Sequence, residues 1–499
     1  MLRILLASLS LALTLPATAA ETNQPTSQPA AATQAVSAKH AGTSNTAHAK
    51  RWTPPYHLLP AGNDSALLVI DMASGKTLYQ HRATKLQPPA STQKMLTALA
   101  AKLYLPSDFR FETTLAQQGD DLVFQFSGDP TLSRQQLAGL LKQAKQKGIR
   151  TIKGDILLNG QVFSGQEHAT GLPWDILGVC YSAPASSLSL EHNCVQGALY
   201  SNRAQGQPTR VHVPSHQPVT VTSTAKVGPE KPKDTDFCEL QLNVAPDNHY
   251  LLSGCLPQRK NPLPLNFAVQ DTETYIADTL QLELKRLGMR LNGKIRRDDS
   301  ATGKVIARHR SATLDELLTT MVQDSDNLIA DNLAKTLGGR YFQQPGNFSN
   351  GTAAIKAILK DKAQIDLSNA VLADGSGLSR NNRLTAQQMH QVLAYIYQHD
   401  NTLGLMKTLP TSGKTGTLRY RQSLRQPPLA GRIEAKSGSL YGTYNLAGFV
   451  KTQSGKTLLV VQMVTNYLPE PVDPDAPRVT PPIQAFETTL YEDLYYGRY

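Results

Sequence analysis

The distribution of hydrophobic and polar residues predicts a body of mixed strands and helices that begins near residue 65. The apolar run Ala66–Ile70 predicts a buried strand, residues 73–76 predict a turn, and Thr77–Tyr79 predicts the returning strand of a β-hairpin. Between Met95 and Leu103 the apolar residues recur at helical spacing. The folded part of the chain is therefore expected to start with a hairpin that is followed by a helix.

The pattern changes between about residues 106 and 270. Short β-like runs such as Leu122–Phe126 alternate with turns around one helical stretch, Leu132–Lys147. Beyond residue 271 we predict helices at Tyr275–Leu287, Leu314–Val322, Asp326–Leu337, Ala386–Gln398 and Ile483–Tyr495, and strands at Gly431–Ser437, Tyr444–Lys451 and Thr457–Val464. We therefore expect one α/β body, residues 55–105 and 271–499, divided by a β-rich insertion, residues 106–270, of one or two modules.

The first twenty residues have the features of a secretory signal peptide. Arg3 supplies the positive charge, and Ile4–Leu15 is an apolar core that is too short to span a bilayer. The small residues that follow fit a cleavage site near Ala19 or Ala20. An uncleaved anchor is the alternative, which the short core disfavours. We expect a protein that is periplasmic or otherwise exported.

Export bears on the four cysteines, Cys180, Cys194, Cys238 and Cys255. In an oxidising compartment they are expected to form disulfides, for which three pairings are open. Because short loops close most easily, Cys180–Cys194 with Cys238–Cys255 is the favoured pairing. A zinc site is the alternative, but the chain has no C-x-x-C spacing.

Composition and charge narrow the function classes only modestly. With 40% hydrophobic and 18% charged residues, the 499-residue chain cannot be wholly disordered, although residues 21–54 have few large apolar side chains and predict a flexible linker. The net charge of +11 suits a protein that works near anionic surfaces such as lipid headgroups, nucleic acid or acidic wall polymers, including peripheral association with a membrane or wall. No P-loop and no H-E-x-x-H pattern occurs, so we expect no cofactor and no metal. We also expect no nucleic-acid partner.

Ser91-Thr92-Gln93-Lys94, at the start of the first predicted helix, offers a nucleophile and a base. Positions i and i+3 share one helix face, and a lysine neutralised by burial can take a proton from Ser91 Oγ. The S-x-x-K pattern alone has little specificity. Ser223–Lys226 matches it too, but Val227-Gly228-Pro229 cannot continue a helix there.

A second element, Ser325-Asp326-Asn327, falls in the short link between two predicted helices. Ser325 can relay protons and Asn327 can hold an amide. The alternative for Ser325 is a helix N-cap, a common use of serine at such a position. Ser379-Arg380-Asn381 is another S-x-N match, so this element also has little weight alone.

The third element is a Lys-Ser/Thr-Gly triplet, for which there are two candidates. Lys414-Thr415-Gly416 lies in a Gly-rich run that predicts a loop, whereas Lys436-Ser437-Gly438 ends a predicted strand. A strand can pair with an extended peptide while the lysine and hydroxyl bind a carboxylate. This argument favours Lys436, and Lys414 is then a solvated turn lysine.

With these three motifs in this order, the chain resembles the penicillin-recognising serine enzymes. It is most similar to the class C low-molecular-mass penicillin-binding proteins, D-alanyl-D-alanine carboxypeptidases and endopeptidases. The long span between Lys94 and Ser325 is typical of that class. The resemblance covers residue 55 to the C-terminus, and further stretches that carry it are Cys255–Arg259, Ala268–Asp271, Ala373–Arg380 and Tyr444–Phe449. It implies an antiparallel sheet flanked by helices, with a large, mostly β insertion between the first two motifs.

The resemblance also implies roles. Ser91 would be acylated by the penultimate D-Ala carbonyl with Lys94 as base, and Ser325 and Lys436 would move protons. The substrate-binding groups that it implies are Asn327 for the peptide, Lys436 and Ser437 for the terminal carboxylate, the amides of Ser91 and Ser439 for the oxyanion, and Arg380 for the substrate. Peptidoglycan stem peptides would be the substrates, and β-lactam antibiotics would be acylating inhibitors.

Two positions depart from the family pattern, and two alternatives stay open. Ser437 replaces the usual threonine but keeps the hydroxyl, and Tyr441 stands where a relative has glutamine, which affects stem-peptide preference. A serine β-lactamase would need a deacylating glutamate. Glu239–Asn243 matches E-x-x-L-N but alternates as a half-buried strand. A catalytically idle wall-binding homologue would show a broken motif, and none of the three is broken.

Overall fold

The computed structural model describes residues Trp52–Pro469 and Val479–Tyr499. The predicted signal peptide, residues 1–20, and residues 21–51 of the predicted linker lie outside these ranges. Trp52 itself packs on the folded body, where its Nε1 donates to Asp493 Oδ2 at 3.1 Å and its ring meets Tyr79 edge-on. The predicted linker therefore ends before residue 52, because this aromatic side chain finds apolar neighbours.

Regular elements account for most of the described residues. The α-helices are α1 (Lys94–Tyr104), α2 (Arg134–Gln146), α3 (Thr272–Leu287), α4 (Leu314–Gln323), α5 (Asn327–Phe342), α6 (Phe348–Ala363), α7 (Ala386–Gln398), α8 (Asp400–Leu403) and α9 (Pro482–Tyr496). The strands are β1 (Asp64–Asp71), β2 (Thr77–His81), β3 (Glu112–Gln118), β4 (Asp121–Gln125), β5 (Thr151–Ile152), β6 (Ile156–Asn159), β7 (Cys194–Tyr200), β8 (Arg210–His212), β9 (Thr220–Ser223), β10 (Lys226–Gly228), β11 (Leu240–Val244), β12 (His249–Pro257), β13 (Leu263–Ala268), β14 (Arg290–Leu291), β15 (Ile295–Arg297), β16 (Lys304–Arg310), β17 (Ile433–Leu440), β18 (Thr443–Lys451) and β19 (Thr457–Thr465).

An antiparallel sheet in the order β17-β18-β19-β1-β2 forms the centre of the body. Successive side chains of a strand point to opposite faces. In β1, Leu67 and Val69 pack in the cluster that contains α9, whereas Leu68 and Ile70 pack against α1, α5 and α7. Because helices cover both faces, β1 is apolar without interruption from Ala66 to Ile70. The expected antiparallel sheet flanked by helices is confirmed.

Helix α1 lies at the centre of the larger hydrophobic core, and every residue from Lys94 to Ala101 is buried. Behind it, α5 and α6 cross closely. A Cβ added at Gly338 would lie 2.5 Å from the Gly351 amide nitrogen, so the crossing requires glycine. Helix α6 was not predicted from the sequence, because its first turn is polar and contains glycine. The Asn347–Asn350 capping box starts it.

The inserted region extends beyond residue 270, the predicted boundary. A second five-stranded sheet has the order β15-β6-β4-β3-β16, so two strands that follow residue 290 pair with strands that precede residue 160. Helix α3 shares a core with α2 under this sheet. The returning segment of the main body therefore begins near residue 311. Helical periodicity at 275–287 was assigned to the wrong module, since the pattern does not indicate which sheet a helix covers.

Strands β7 to β13 form two smaller sheets nested inside this region. Disulfides join Cys180 to Cys194 and Cys238 to Cys255, the pairing that loop length favours. The stretch that matches E-x-x-L-N lies along β11, which pairs with β12, and Glu239 is exposed before it. Among the described residues, no helix has the length and apolar character needed to cross a membrane.

Candidate active site

Ser91 lies in a single 3₁₀ turn, Ala90–Gln93, that leads directly into α1. Ala90 has a φ of +48°, which is uncommon for a residue with a Cβ. Two glycines pack closely against the turn. A Cβ added at Gly377 would lie 1.9 Å from Ala90 O, and a Cβ added at Gly438 would lie 2.8 Å from Pro89 O, so neither position has room for a side chain. The turn is therefore fixed between the Ala373–Arg380 segment, called the 373–380 loop below, and β17.

Lys94 lies beneath this turn with its side chain fully buried. Its Nζ contacts Ser91 Oγ at 3.1 Å and donates to Asn327 Oδ1 at 2.6 Å and to the Ser376 carbonyl at 2.8 Å. Burial lowers the pKa of Lys94 to about 8, because the charged ammonium is poorly solvated there. An amine with that pKa is partly neutral near physiological pH and can accept a proton from the serine hydroxyl.

Three aspartates oppose the effect of burial on Lys94. The negative charges of Asp331, Asp374 and Asp326 each favour the ammonium and raise its pKa. Asp331 accepts the Gly375 amide at 2.9 Å, and Asp374 accepts the Gly377 amide at 2.7 Å. These two carboxylates therefore also shape the 373–380 loop, which presents the Ser376 carbonyl to Lys94. Burial and the repulsion of Asp374 raise the pKa of Asp331 to about 8.

Ser325 occupies the link between α4 and α5 with a φ of +61°. Lys436 Nζ donates to Ser325 Oγ at 2.9 Å. Burial lowers the pKa of Lys436 well below that of an ordinary lysine, and repulsion by Lys94 and Arg421 lowers it further. The N-cap of α5 is Asp326, which accepts the Ile329 amide, so the alternative role of Ser325 as that cap does not apply.

Asn327 joins the main body to the inserted region. Its Oδ1 accepts from Lys94, and its Nδ2 donates to the Tyr181 carbonyl at 2.6 Å, next to the Cys180–Cys194 disulfide. Nearby, His192 Nδ1 lies 3.4 Å from Asp326 Oδ2. The disulfide-bearing segment of the insertion therefore forms one wall of the cleft.

Strand β17, at the edge of the central sheet, carries the third motif. The Ala435 amide donates to Pro410 O, so a neighbouring loop covers the start of the strand. Lys436 is buried, Ser437 is 9% exposed and Ser439 is exposed farther along. Ser437 Oγ lies 2.8 Å from Thr417 Oγ1. The structure thus brings Lys436 to Ser325, whereas the other candidate, Lys414, is exposed in the loop.

Arg380 lies at the rim and not in the hydrogen-bonded centre. Its guanidinium carbon is 6.0 Å from the centroid of the Tyr441 ring, and both side chains are exposed. They line a cavity of about 360 Å³ beside the end of β17. Tyr181, on the insertion, has its pKa raised by burial and by Asp175, against the opposing effect of Arg380. The cavity beside β17, called the entrance below, is lined by Arg380, Arg383 and Asp64, so charges of both signs surround it.

Sequence reasoning missed four groups at the centre: Asp331, Thr417 and the carbonyls of Tyr181 and Ser376. Backbone carbonyls leave no signal in a sequence. Asp331 follows Asn327 by four residues, so helical spacing could have placed it on the same buried face. Within the two described ranges, no cluster of three or more potential metal-ligating side chains occurs.

Comparisons with known proteins identify the family of the chain. The model of the family "D-Ala-D-Ala carboxypeptidase 3 (S13)" matches residues 57–490. The chain is 36% identical to the D-alanyl-D-alanine carboxypeptidase DacB of Haemophilus influenzae over 88% of its own length and 92% of the relative's. It is 26% identical to a D-alanyl-D-alanine carboxypeptidase of an Actinomadura species, over 81% and 78% of the two chains.

Solved structures give the same result. The crystal structure of penicillin binding protein 4 from Haemophilus influenzae superposes with a TM-score of 0.82 at 36% identity, covering 88% of this chain and 98% of that one. A second structure of that protein, in complex with a β-lactam, gives a TM-score of 0.78 at 34% identity with the same coverage. The chain belongs to the S13 family of D-Ala-D-Ala carboxypeptidases.

Proposed function

We propose that the chain is an exported serine D,D-peptidase that removes the terminal D-alanine from peptidoglycan stem peptides through an acyl-enzyme on Ser91. The observation that carries the proposal is the buried Lys94 amine in contact with Ser91 Oγ, in a chain that belongs to a family of D-Ala-D-Ala carboxypeptidases. The β-lactam bound to the Haemophilus penicillin binding protein 4 supports β-lactams as inhibitors that acylate Ser91 here too.

Acylation begins when Ser91 Oγ attacks the carbonyl carbon of the penultimate D-alanine. Lys94 Nζ takes the hydroxyl proton, for which its pKa of about 8 suits it. The amides of Ser91 and Ser439 hold the oxyanion of the tetrahedral intermediate, the first at the start of the 3₁₀ turn and the second on β17. These donors are fixed before the substrate arrives.

Collapse of the intermediate breaks the peptide bond and expels the terminal D-alanine, whose amine must gain a proton. Ser325 Oγ, hydrogen-bonded to Lys436 Nζ, would deliver it, and the proton that Lys94 took from Ser91 would replace the one that Ser325 gives, so that both groups return to their starting states. A water molecule then attacks the acyl carbon and gives a proton to Lys94 Nζ, which returns that proton to Ser91 Oγ as the ester bond breaks. No step requires a metal ion or a cofactor.

Substrate binding follows from the edge position of β17. An extended stem peptide can add to this edge while Lys436 and Ser437 bind its terminal carboxylate and Asn327 holds its amide. Arg380 and Tyr441, at the entrance, would contact residues farther from the cleaved bond. Tyr441 there presents an aromatic surface.

The same site would cleave D-Ala-to-diaminopimelate cross-links, because the leaving group would then be a D-amino acid with a larger side chain. The open entrance with charges of both signs supports this endopeptidase activity. A cross-linked muropeptide dimer tests it directly. Conversion to monomers by the wild type, but not by Ser91→Ala, is expected, and an intact dimer alongside rapid D-alanine release would limit the enzyme to carboxypeptidase activity.

The domain arrangement and location complete the proposal. Residues 55–105 with 311–499 would form the catalytic domain, and the segment between them, bounded by β3 and β16, the inserted domain. Residues 1–20 would direct export and be removed near Ala19 or Ala20, and the net charge of +11 would favour peripheral contact with the anionic wall or membrane. The N-terminal residue of the protein from a periplasmic fraction tests the cleavage site.

The first experiment is incubation of the mature protein with a penicillin, followed by mass spectrometry of its peptides. A stable one-to-one adduct on Ser91, absent from Ser91→Ala, is expected together with D-alanine release from a D-Ala-D-Ala peptide. Rapid consumption of penicillin without an adduct would identify a serine β-lactamase. An intact penicillin, no adduct and no D-alanine release would identify a catalytically idle wall-binding homologue.

A further inference from the structure

Thr417 is an exposed residue that none of the three motifs contains, yet its hydroxyl touches the third. It lies on the loop between Pro410 and Gly431, called the 410–431 loop below. The base of this loop runs beside β17: Ser412 N donates to Ile433 O at 2.9 Å, and Ala435 N donates to Pro410 O at 3.0 Å. The loop is thus attached to the strand that carries Ser437.

Both sides of Thr417 are fixed. Before it, Gly416 has a φ of +52°, and a Cβ there would lie 2.5 Å from Gln323 Oε1 at the end of α4. After it, Leu418 is fully buried in the hydrophobic cluster beneath β17. Farther along, Arg421 Nε donates to Glu487 Oε2 of α9 at 2.9 Å. A side chain held this firmly on both sides can orient a neighbour.

That neighbour is Ser437, whose Oγ lies 2.8 Å from Thr417 Oγ1. Serine has no β-methyl group, so its χ1 angle is less restricted than that of the branched threonine. The hydroxyl of Ser437 therefore needs an external contact to hold one rotamer. When Ser437 donates its proton to a carboxylate, its oxygen can accept the proton of Thr417.

We propose that Thr417 is a positioning residue whose hydroxyl holds Ser437 Oγ in the rotamer that binds the terminal carboxylate of the substrate. The proposal rests on the proposed D,D-peptidase function and deepens it. Thr417 thereby supplies, from a separate loop, the conformational restriction that a branched residue at position 437 would supply itself.

The test compares two thioesters of the same N-acyl-D-alanine, one with a thioglycolate leaving group that carries a carboxylate and one with an ethanethiol leaving group that does not. Thr417→Val removes the hydroxyl and keeps the shape. We expect kcat/KM for the carboxylate-bearing thioester to fall about tenfold, mainly through KM, since a hydrogen bond to a charged group is involved. The neutral thioester should change less than about twofold.

Two further variants separate positioning from general loop disorder. Thr415→Val removes a hydroxyl that accepts the Thr411 amide in the same loop and does not touch Ser437. It should leave the ratio of the two thioester rates unchanged. In a Ser437→Thr background, Thr417→Val should have at least a threefold smaller effect on the carboxylate-bearing thioester, because the branched side chain now restricts itself.

The proposal is overturned if Thr417→Val slows both thioesters equally, if Thr415→Val gives the same selective loss, or if the effect is unchanged in the Ser437→Thr background. Failure of the proposed function looks different. In that case the wild-type protein itself releases no D-alanine and forms no penicillin adduct.

Discussion

Helix α1 and strand β17, two of the walls of the cleft around Ser91, each carry a buried lysine that is hydrogen-bonded to a serine, but the charges around the two lysines are opposite. Lys94, on the α1 wall, contacts Ser91 and is surrounded by three aspartates. Lys436, on the β17 wall, contacts Ser325 and experiences the positive charges of Lys94 and Arg421. Burial lowers the pKa of both amines. The neighbouring aspartates then raise the pKa of Lys94, whereas the neighbouring cations lower the pKa of Lys436 further.

This difference in surroundings gives the two amines different roles in the reaction. An amine with a pKa near 8 gains and loses a proton at small free-energy cost, which a general base requires. Burial and the repulsion of Lys94 and Arg421 lower the pKa of Lys436 well below that of an ordinary lysine, and its amine holds Ser325 Oγ by a hydrogen bond. Similar contacts with serine therefore serve distinct steps because the surrounding charges differ.

The largest expected effect comes from Lys94→Met, which keeps the length of the side chain and removes the amine. Acylation by penicillin should slow by about 10³- to 10⁴-fold, since a positioned base contributes rates of this order. Stopped-flow or quenched measurement of the Ser91 adduct gives the rate. A loss of less than about tenfold would show that another group takes the Ser91 proton.

Lys436→Met should reduce acylation less, by about 10²-fold, with a rise in KM for D-Ala-D-Ala peptides. Lys436 acts on the nucleophile only through Ser325, but it also helps to bind the terminal carboxylate. The wild-type rise of acylation rate with pH should persist in this variant, because Lys94 remains. If the Lys436 variant were as slow as the Lys94 variant and its profile flat, the division of work would be wrong.

Asp331→Asn tests the charges around Lys94 and keeps an oxygen for the Gly375 amide. In the wild type, acylation needs neutral Lys94, so its rate rises with pH through about 8. Removing a carboxylate that favours the ammonium lowers the pKa of Lys94. The rising limb should therefore move to lower pH, by less than about one unit, because the pKa of Asp331 is itself about 8 and its carboxylate carries only part of its charge in that range.

The matched control for this shift is Asp315→Asn, an exposed aspartate of α4 that pairs with Lys102. It should leave the pH profile of acylation in place. A shift of the Asp331 variant to higher pH, or none, would mean that Asp331 does not act on Lys94 through its charge.

Much of the fold was predictable where periodicity was strong. The hairpin of β1 and β2, helix α7 and the strands β18 and β19 lie within one or two residues of their predicted bounds. The end of the insertion was not predictable, because strands β15 and β16 are recognisable only through partner strands that lie far away in the sequence. Helix α6 was missed because its polar, glycine-containing first turn is needed for the close crossing with α5.

The residues of the candidate site were also predictable only in part. Ser91, Lys94, Ser325 and Lys436 stand in short motifs, so sequence order and local context could select them. Thr417 and the Tyr181 carbonyl stand in none, since a loop and a disulfide-bearing segment bring them in from elsewhere. The opposite surroundings of the two lysines depend on Asp374 and Arg421, whose distances to the amines follow from tertiary packing alone.

The smallest expected effect concerns His192, which lies beside Asp326, one of the three aspartates around Lys94. The hydrogen bond with Asp326 raises the pKa of His192, although burial opposes this. A group with a raised folded-state pKa adds stability below its unfolded pKa, near 6.5, and that stability is lost as pH rises through the folded value. His192→Gln should therefore lower the free energy of unfolding at about pH 5.5, by less than about 1 kcal/mol because the side chain is half-exposed.

Urea unfolding measures this difference, and the His192 variant should not differ from the wild type at about pH 8.5. The control is His216→Gln, which changes an exposed histidine of the insertion and should show no difference at either pH. A difference of equal size at both pH values would mean that His192 stabilises this wall by packing, and that Asp326 is as free to act on Lys94 in acid as it is in base.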